Sequence, residues 1–364
     1  MDKIGYDGCV YGPSRLWLAT LPGHDCAKFH IIPCVLRSNV GIVQVFADRG
    51  ITLRNLQKGK FDPTTLIGLC RLIRQERIRL LHLHGDGATT FGRLAGWITG
   101  VPAIVHYHDT ADRLPWYVHW VDRLLGPRTA KAVAISDSVA EACRRVRHLK
   151  PEQITVIPNG IEEDWFSPAD SAELARIRSS FGIRARARVI GSVTRFRWEK
   201  DVPTFIQALA DPLLSDVDCH AVIVGEGPEK ALIEQKIHAL GLQARVHLAG
   251  YQPNVRPFLA AMEVVVFSSV TEGFGLALLE AMGMRRPVVV TAIGGMRELV
   301  QHEQNGLVVP ARDSKAMALA IRRLLDDPTL AQRLAAAAGS ATQNFSRSKH
   351  VCAIEKLYED VLHG

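Results

Sequence analysis

Two pairs of charged residues have types and spacings that can do chemistry. Glu272 and Glu280 lie in the stretch Thr271-Glu272-Gly273-Phe274-Gly275-Leu276-Ala277-Leu278-Leu279-Glu280. The apolar run Val264–Phe267 precedes them, so Glu272 falls in a strand-to-helix loop and Glu280 little more than one turn into the helix. Gly273 and Gly275, around Phe274 and Leu276, let the backbone approach a ligand closely. The helix start aims free N–H groups and a positive dipole end at the loop, which suits a diphosphate. Glu272 is then placed to reach sugar hydroxyls and Glu280 ribose hydroxyls. The bland alternative, a surface acid, fits Glu280 poorly, because it sits in the apolar run Leu276–Met282 and buried carboxylates are rare without a partner.

The second pair is Arg195 and Lys200, in Thr194-Arg195-Phe196-Arg197-Trp198-Glu199-Lys200-Asp201. They follow the expected strand Arg188–Val193, and two cations at a strand's carboxyl end can clamp the phosphates of a leaving group. Arginine offers a bidentate fork and lysine a point charge. As charge builds on a departing diphosphate, such donors stabilise the transition state more than the ground state. Arg197 and Glu199 read as solvated loop charges, and Asp201 as a helix N-cap. Gly225-Glu226-Gly227-Pro228 and Gly294-Gly295 are further strand-to-helix turns, each weak as a signal alone.

These residues need elements to position them. Short apolar runs alternate with helical patterns along most of the chain, which implies parallel sheets covered by helices. In the first half, strands are expected at Ile42–Phe46, Ile78–Leu83, Pro102–Tyr107, Lys131–Ile135 and Ile154–Ile157, with helices near 64–75, 88–99 and 138–147. In the second half, strands are expected at Arg188–Val193, His220–Val224, Arg245–Leu248, Val264–Phe267, Pro287–Thr291 and Leu307–Val309. Helices begin near 202, 228, 256, 275, 295 and 314. The turn-rich stretch Pro151–Pro168 marks a boundary, giving domains 1–165 and 166–345. A last amphipathic segment, 346–364, is expected to pack back across the junction. Two doubly wound domains place ligands at the carboxyl ends of their strands, facing a cleft. Residues 1–12 fit badly: the buried strand that normally opens such a domain is missing from the pattern.

With 364 residues, 47% hydrophobic and 22% charged, the chain suits two globular domains and excludes disorder. The net charge is +7, and residues 1–165 hold 21 Lys+Arg against 16 Asp+Glu. Arg71, Arg74, Arg77 and Arg79 border one helix, and Arg144, Arg145, Arg147, His148 and Lys150 cluster near another, which suits an anionic membrane surface. The clusters lack interleaved aromatics, so no nucleic-acid partner is expected. Seven scattered cysteines without CxxC spacing argue for a reducing cytosol. No apolar run is long enough to cross a membrane. The expected location is cytoplasmic, with peripheral attachment to the inner face of the membrane open. His82 and His84, like His106 and His108, alternate with apolar residues, so each pair shares one face of its strand. No carboxylate follows at ligand spacing, and no metal is expected.

Taken together, these motifs resemble the retaining glycosyltransferases of family 4 (glycosyl transferases group 1), whose GT-B fold is α/β with two Rossmann-like domains facing a cleft. Arg195 and Lys200 match that family's phosphate-clamping pair, and Glu272 and Glu280 its E-x7-E motif. Gly294-Gly295 through Glu298 and Gly306–Pro310 fit its pattern as well. In the first half the likeness rests on His82-Leu83-His84, His106-Tyr107-His108-Asp109, Ala134-Ile135-Ser136 and Ile157-Pro158-Asn159-Gly160-Ile161. The resemblance implies catalytic roles for Arg195, Lys200, Glu272 and His108. It implies donor binding by Gly12, Gly225, Gly273, Phe274, Gly275, Leu276 and Glu280. It further implies a nucleotide-diphosphate sugar as co-substrate, a glycan or lipid-linked acceptor, front-face substitution with retained configuration, and no cofactor or metal. Arg285-Arg286-Pro287 departs from the pattern, which has Gly before the strand; the loss costs about 1 kcal/mol where the backbone needs positive φ. The rivals are an inactive or truncated nucleotide-sugar-binding protein and a nucleotide-sugar epimerase.

Overall fold

A computed structural model describes residues 13–37, 40–59, 62–110, 114, 116–167 and 171–364. The chain divides into two units, Met1–Gly160 with Phe345–Gly364, and Ile161–Asn344. The expectations for the opening strand and for Gly12 lie outside the described residues.

The first unit runs α1 (Pro13–Thr20), β1 (Cys34–Val35), α2 (Val40–Ala47), β2 (Arg54–Asn55), α3 (Thr64–Gln75), β3 (Leu81–His84), α4 (Asp86–Thr99), β4 (Ala103–Tyr107), α5 (Trp116–Leu125), β5 (Lys131–Ala134), α6 (Asp137–Arg145) and β6 (Ile154–Val156). Its parallel sheet has the order β3-β4-β5-β6, beside a two-stranded pair β1-β2. The chain's last helix, Arg347–His363, completes this unit, packing Ile354, Leu357 and Tyr358 against Ile104, Val133 and Ile157.

Ile42–Phe46 is a correction: these residues belong to helix α2 rather than to a strand. A short apolar run has no period to separate strand from helix, and packing decides. Phe46, fully buried, packs with Leu18, Val43, Val45 and Ile51, while Gln44 donates to Asp48 one turn on. In the basic cluster at the end of α6, Arg144, Arg145, His148 and Lys150 are exposed and Arg147 alone is buried. Arg147 is 3% exposed and pairs with Asp122 at 3.0 Å, on whose other oxygen Arg93 closes at 2.5 Å. Such a buried network must keep all its partners, since removing one leaves an uncompensated charge.

The second unit runs α7 (Ser171–Ser180), β7 (Arg188–Val193), α8 (Val202–Leu209), β8 (Cys219–Val224), α9 (Lys230–Ala239), β9 (Val246–Gly250), α10 (Arg256–Ala261), β10 (Val264–Phe267), α11 (Leu276–Gly283), β11 (Val288–Thr291), α12 (Met296–Leu299), β12 (Leu307–Val309), α13 (Ser314–Asp326) and α14 (Pro328–Thr342); the final helix is α15. All six strands are parallel, in the order β12-β11-β10-β7-β8-β9. Strands buried on both faces read as near-continuous β-branched runs, as in Val264-Val265-Val266-Phe267. The order reverses between β7 and β10, and ligands of such sheets bind at the carboxyl ends of the strands at that point.

Beyond α11, Arg285 holds φ 52°, the left-handed conformation in which glycine is expected. Its stem lies on α14 where Gly339 leaves room; a Cβ at 339 would stand 2.6 Å from Arg285 Cγ. Gly339→Ala should therefore destabilise the chain by about 1–3 kcal/mol in urea denaturation, as overpacking does. Combining it with Arg285→Gly should abolish that cost. An unchanged cost in the double variant would show that the two residues do not oppose each other.

Candidate active site

The second unit gathers most of the expected residues around the reversal. After β7 the chain stays extended beside the loop after β8: Thr194 N–H donates to Val224 O and Phe196 N–H to Glu226 O, both at 2.9 Å. Phe196 is fully buried, so alternation turns the half-buried Arg195 the other way. Gly225 permits this closeness. Its φ is 140°, and a Cβ there would fall 1.7 Å from Thr194 O. Its place is under the loop that carries Arg195, a part the turn signature alone did not reveal.

The loops after β7 and β10 are joined. Val270 N–H donates to Glu199 O at 2.8 Å and Ser268 Oγ to Lys200 O at 2.8 Å. Lys200 Nζ then closes an ion pair with Glu272, the two side chains being 20% and 17% exposed. Partial burial lets this pair act more strongly than a surface one, because solvent screens it less. Glu272 is held from behind as well, since Gly295 N–H donates to its carbonyl at 3.2 Å. Gly294, at φ 39°, comes so close that a Cβ would lie 2.1 Å from that oxygen. Phe274 is buried as the loop's anchor, and Gly275 begins α11 with no side-chain cap. The amides of Leu276 and its successors therefore open a helix whose dipole favours an anion. Glu280, one turn in, is 3% exposed. Asp201 occupies the N-cap of α8 in left-handed conformation; its carboxylate accepts from the Thr204 hydroxyl at 2.7 Å. Arg197 and Glu199, expected to be solvated, pair with each other at 2.9 Å.

In the first unit, His108 directly follows β4 and does not stand alone. Its Nε2 lies 2.9 Å from His84 Nδ1, and its ring stacks on His106 at 4.4 Å. His82 joins His106 at 3.1 Å and the Tyr358 hydroxyl of α15 at 2.7 Å. The same helix ties His350 Nδ1 to Pro158 O at 2.7 Å. Tyr358 and His350 were not singled out in the sequence; their signal was only the apolar period of the last helix. Burial, reinforced by the neighbouring imidazoles, lowers the pKa of His82 and His108 to about 3. His84 and His106 fall well below the ordinary 6.5 for the same reasons. All four are neutral at pH 7, so each ring offers a neutral hydrogen-bond donor and acceptor. Ligand nitrogens of His82, His84 and His106 lie within 4.8 Å of one another, the spacing of a metal site. The His82 and His106 rings are parallel to within 3°, and the His84 ring is tilted by 34° and 33° from them. His82 Nδ1 is engaged by Tyr358, His82 Nε2 by His106 Nδ1 and His84 Nδ1 by His108 Nε2, while His106 Nε2 is buried with no hydrogen-bond partner among the described residues.

Comparison with known proteins agrees with this geometry. The family described as Glycosyl transferases group 1 matches residues 175–340, and Glycosyltransferase Family 4 matches residues 27–165. An alpha-D-kanosaminyltransferase of Streptomyces kanamyceticus is 31% identical, covering 72% of each chain. The Escherichia coli UDP-Gal:alpha-D-GlcNAc-diphosphoundecaprenol alpha-1,3-galactosyltransferase is 26% identical over 83% of this chain and 80% of its own. Among solved structures, Anabaena HepE in complex with UDP-glucose superposes with a TM-score of 0.86 at 22% identity, covering 97% of both chains.

The histidine group makes stability depend on pH in a definite direction. An unfolded chain takes up protons at these residues below about pH 6.5, while the folded one does so only far lower. Stability is thus complete above pH 6.5 and is lost as the pH falls towards 3, by up to about 1.4 kcal/mol per unit for each histidine. The denaturant midpoint should fall from pH 6.5 to 5, before most carboxylates titrate, and His82→Gln/His106→Gln should flatten the slope. A midpoint constant over that range would contradict the neutral, buried assignment.

Proposed function

The chain belongs to the glycosyl transferases of group 1 and has their GT-B fold of two Rossmann-like domains, and from that premise we propose a retaining hexosyltransferase acting on a nucleotide-diphosphate sugar. It is a glycosyltransferase; retention, the donor and the acceptor class are the proposal. The observation that carries it is the coupling of Lys200 to Glu272 beside Arg195 and the start of α11, at the point where the strand order reverses. A sugar donor presents such a site with two phosphates to neutralise and hydroxyls to fix. UDP-sugars are the first donors to test, because the galactosyltransferase relative is named for UDP-Gal and the HepE structures hold UDP and UDP-glucose. A glycan or lipid-linked glycan acceptor is supported by the same relative, named for a diphosphoundecaprenol acceptor. These similarities do not favour a non-catalytic binding protein or an epimerase.

In the proposed reaction the bond from the anomeric carbon to the diphosphate oxygen breaks, and the acceptor oxygen bonds to that carbon on the same face. The acceptor proton passes to the departing phosphate. Arg195, Lys200 and the first amides of α11 stabilise the growing phosphate charge. Glu272 orients Lys200 and meets sugar hydroxyls, Glu280 serves the ribose, and neutral His108 bonds a sugar hydroxyl. The protein supplies this charge compensation itself, so no metal or cofactor is assigned a step.

Lys200→Ala should lower turnover by roughly 10²-fold, as loss of one oxyanion donor does; near-wild-type turnover would remove Lys200 from the mechanism. Proton NMR of the product from an α-linked donor should show an α linkage. A β-linked product would overturn retention.

A further inference from the structure

The histidines of β3 and of the end of β4 form two rungs of the same construction. Parallel register sets His82 opposite Ile104 and His84 opposite His106, and residues two apart share one face of a strand. Each β3 histidine reaches diagonally to the histidine two positions beyond its register partner, His82 to His106 at 3.1 Å and His84 to His108 at 2.9 Å. The rungs lie against each other, with the His82 and His84 rings 4.5 Å apart and the His106 and His108 rings 4.4 Å apart. The first rung is closed to a ligand, because Tyr358 takes His82 Nδ1 and His106 is 2% exposed.

The second rung has the geometry of an N–H···N bond. Its ring centroids are 5.2 Å apart and its planes 20° apart, so His84 Nδ1 and His108 Nε2 face each other head-on, close to both ring planes. Such a bond needs one N–H and one lone pair. Both rings are neutral, so each carries a single proton and the two tautomers are tied together. A proton on His84 Nδ1 would force the proton of His108 onto its own Nδ1, which puts both rings in the less stable tautomer of a free imidazole. With His108 Nε2–H as the donor, both rings keep the more stable Nε2–H form. His84 is itself held: Trp17 of α1 meets its ring at right angles at 4.8 Å, and the His106 ring packs on it at 4.7 Å. Buried Arg147 reaches Asp86 at 3.5 Å and Asp109 at 3.7 Å, so one guanidinium ties the connections that follow His84 and His108.

We propose that His84 is the positioning residue of His108: by accepting from His108 Nε2–H it fixes that ring in one tautomer and leaves the Nδ1 lone pair as the acceptor for a hydroxyl of the bound sugar. The inference rests on the reading of His108 as a sugar contact. In this role His84 meets no reacting group itself. Its loss affects recognition of the sugar and spares the nucleotide, because Arg195, Lys200 and α11 belong to the second unit.

Long-range proton–nitrogen correlation NMR of the intact chain, carrying isotope-labelled histidine, reads the tautomer at neutral pH; the His108 signals are those lost in His108→Gln. In the wild type His108 should be a single tautomer, with the proton on Nε2 and Nδ1 bare. His84→Phe keeps a ring between Trp17 and His106 but removes the acceptor, and should give a mixture of tautomers. The same variant should lower kcat/KM for the UDP-sugar donor by about 10-fold, as loss of one hydrogen bond does, with an unchanged affinity for UDP. His84→Asn, whose amide oxygen can take the place of Nδ1, should restore the single tautomer and most of kcat/KM. A proton on His108 Nδ1 in the wild type, a mixture there, or a His108 spectrum indifferent to His84→Phe would overturn the proposal. So would an equal fall of kcat/KM in the Phe and Asn variants. The nitrogen spectrum needs neither donor nor turnover: a single Nε2–H tautomer that His84→Phe scrambles, in a chain that transfers no sugar, would uphold the positioning and sink the transferase reading.

Discussion

Two adjacent parallel strands, β7 and β10, stand where the strand order of the second unit reverses, and the chain leaves each of them at the same edge of the sheet. The opening between their loops is a consequence of topology and exists whatever residues line it. What this sequence adds is a means of holding the two loops at fixed separation. Backbone bonds run from Val270 to Glu199 and from Ser268 to Lys200, and the Lys200–Glu272 ion pair closes the span. Behind them, Gly225 and Gly294 bring neighbouring loops to distances that no side chain permits. The cation and the carboxylate are thus positioned by the backbone of four separate connections. Preorganisation of this kind lets charged groups act on a transition state without first rearranging.

The first unit solves a different problem. Its strands β3 and β4 carry or lead into histidines that are wholly or partly buried, mutually bonded and neutral, and the last helix returns over them to supply Tyr358 and His350. Their burial in the uncharged form keeps His108 in one protonation state around neutrality. The same choice makes the unit sensitive to acid, since every one of these rings titrates readily once the chain unfolds. Nearby, the Arg93–Asp122–Arg147 network withdraws the one acid of α5 from the surface.

Much of the second unit was legible in the sequence. β7, β10 and β12 have the bounds expected for them, because strands buried on both faces are continuous β-branched runs closed by turn residues. The loops that carry Arg195, Lys200 and Glu272 followed from those strands. The first unit was harder to read. The apolar residues of α2 lack a period that separates helix from strand, and no local pattern marks α1, α5, β1 or β2. Tertiary approaches left no local trace: the place of Gly225 depends on Thr194, and the bond from His82 to Tyr358 spans 276 positions. The Lys200–Glu272 pair likewise unites two motifs that the sequence presents 72 residues apart.

The central claim is that the crevice between the β7 and β10 loops binds the diphosphate of a nucleotide sugar through Arg195 and Lys200. A thermal-shift panel of UDP, GDP and ADP on the intact chain and on Arg195→Ala/Lys200→Ala tests it most directly. A ligand at 100 times its dissociation constant adds about 2.7 kcal/mol to the stability of the folded state, a readily visible shift. The expected result is that one nucleotide stabilises the chain and that the double variant, with an unchanged melting profile alone, loses the effect. Equal stabilisation of the variant, or none of the wild type by any nucleotide, would contradict the assignment of this site.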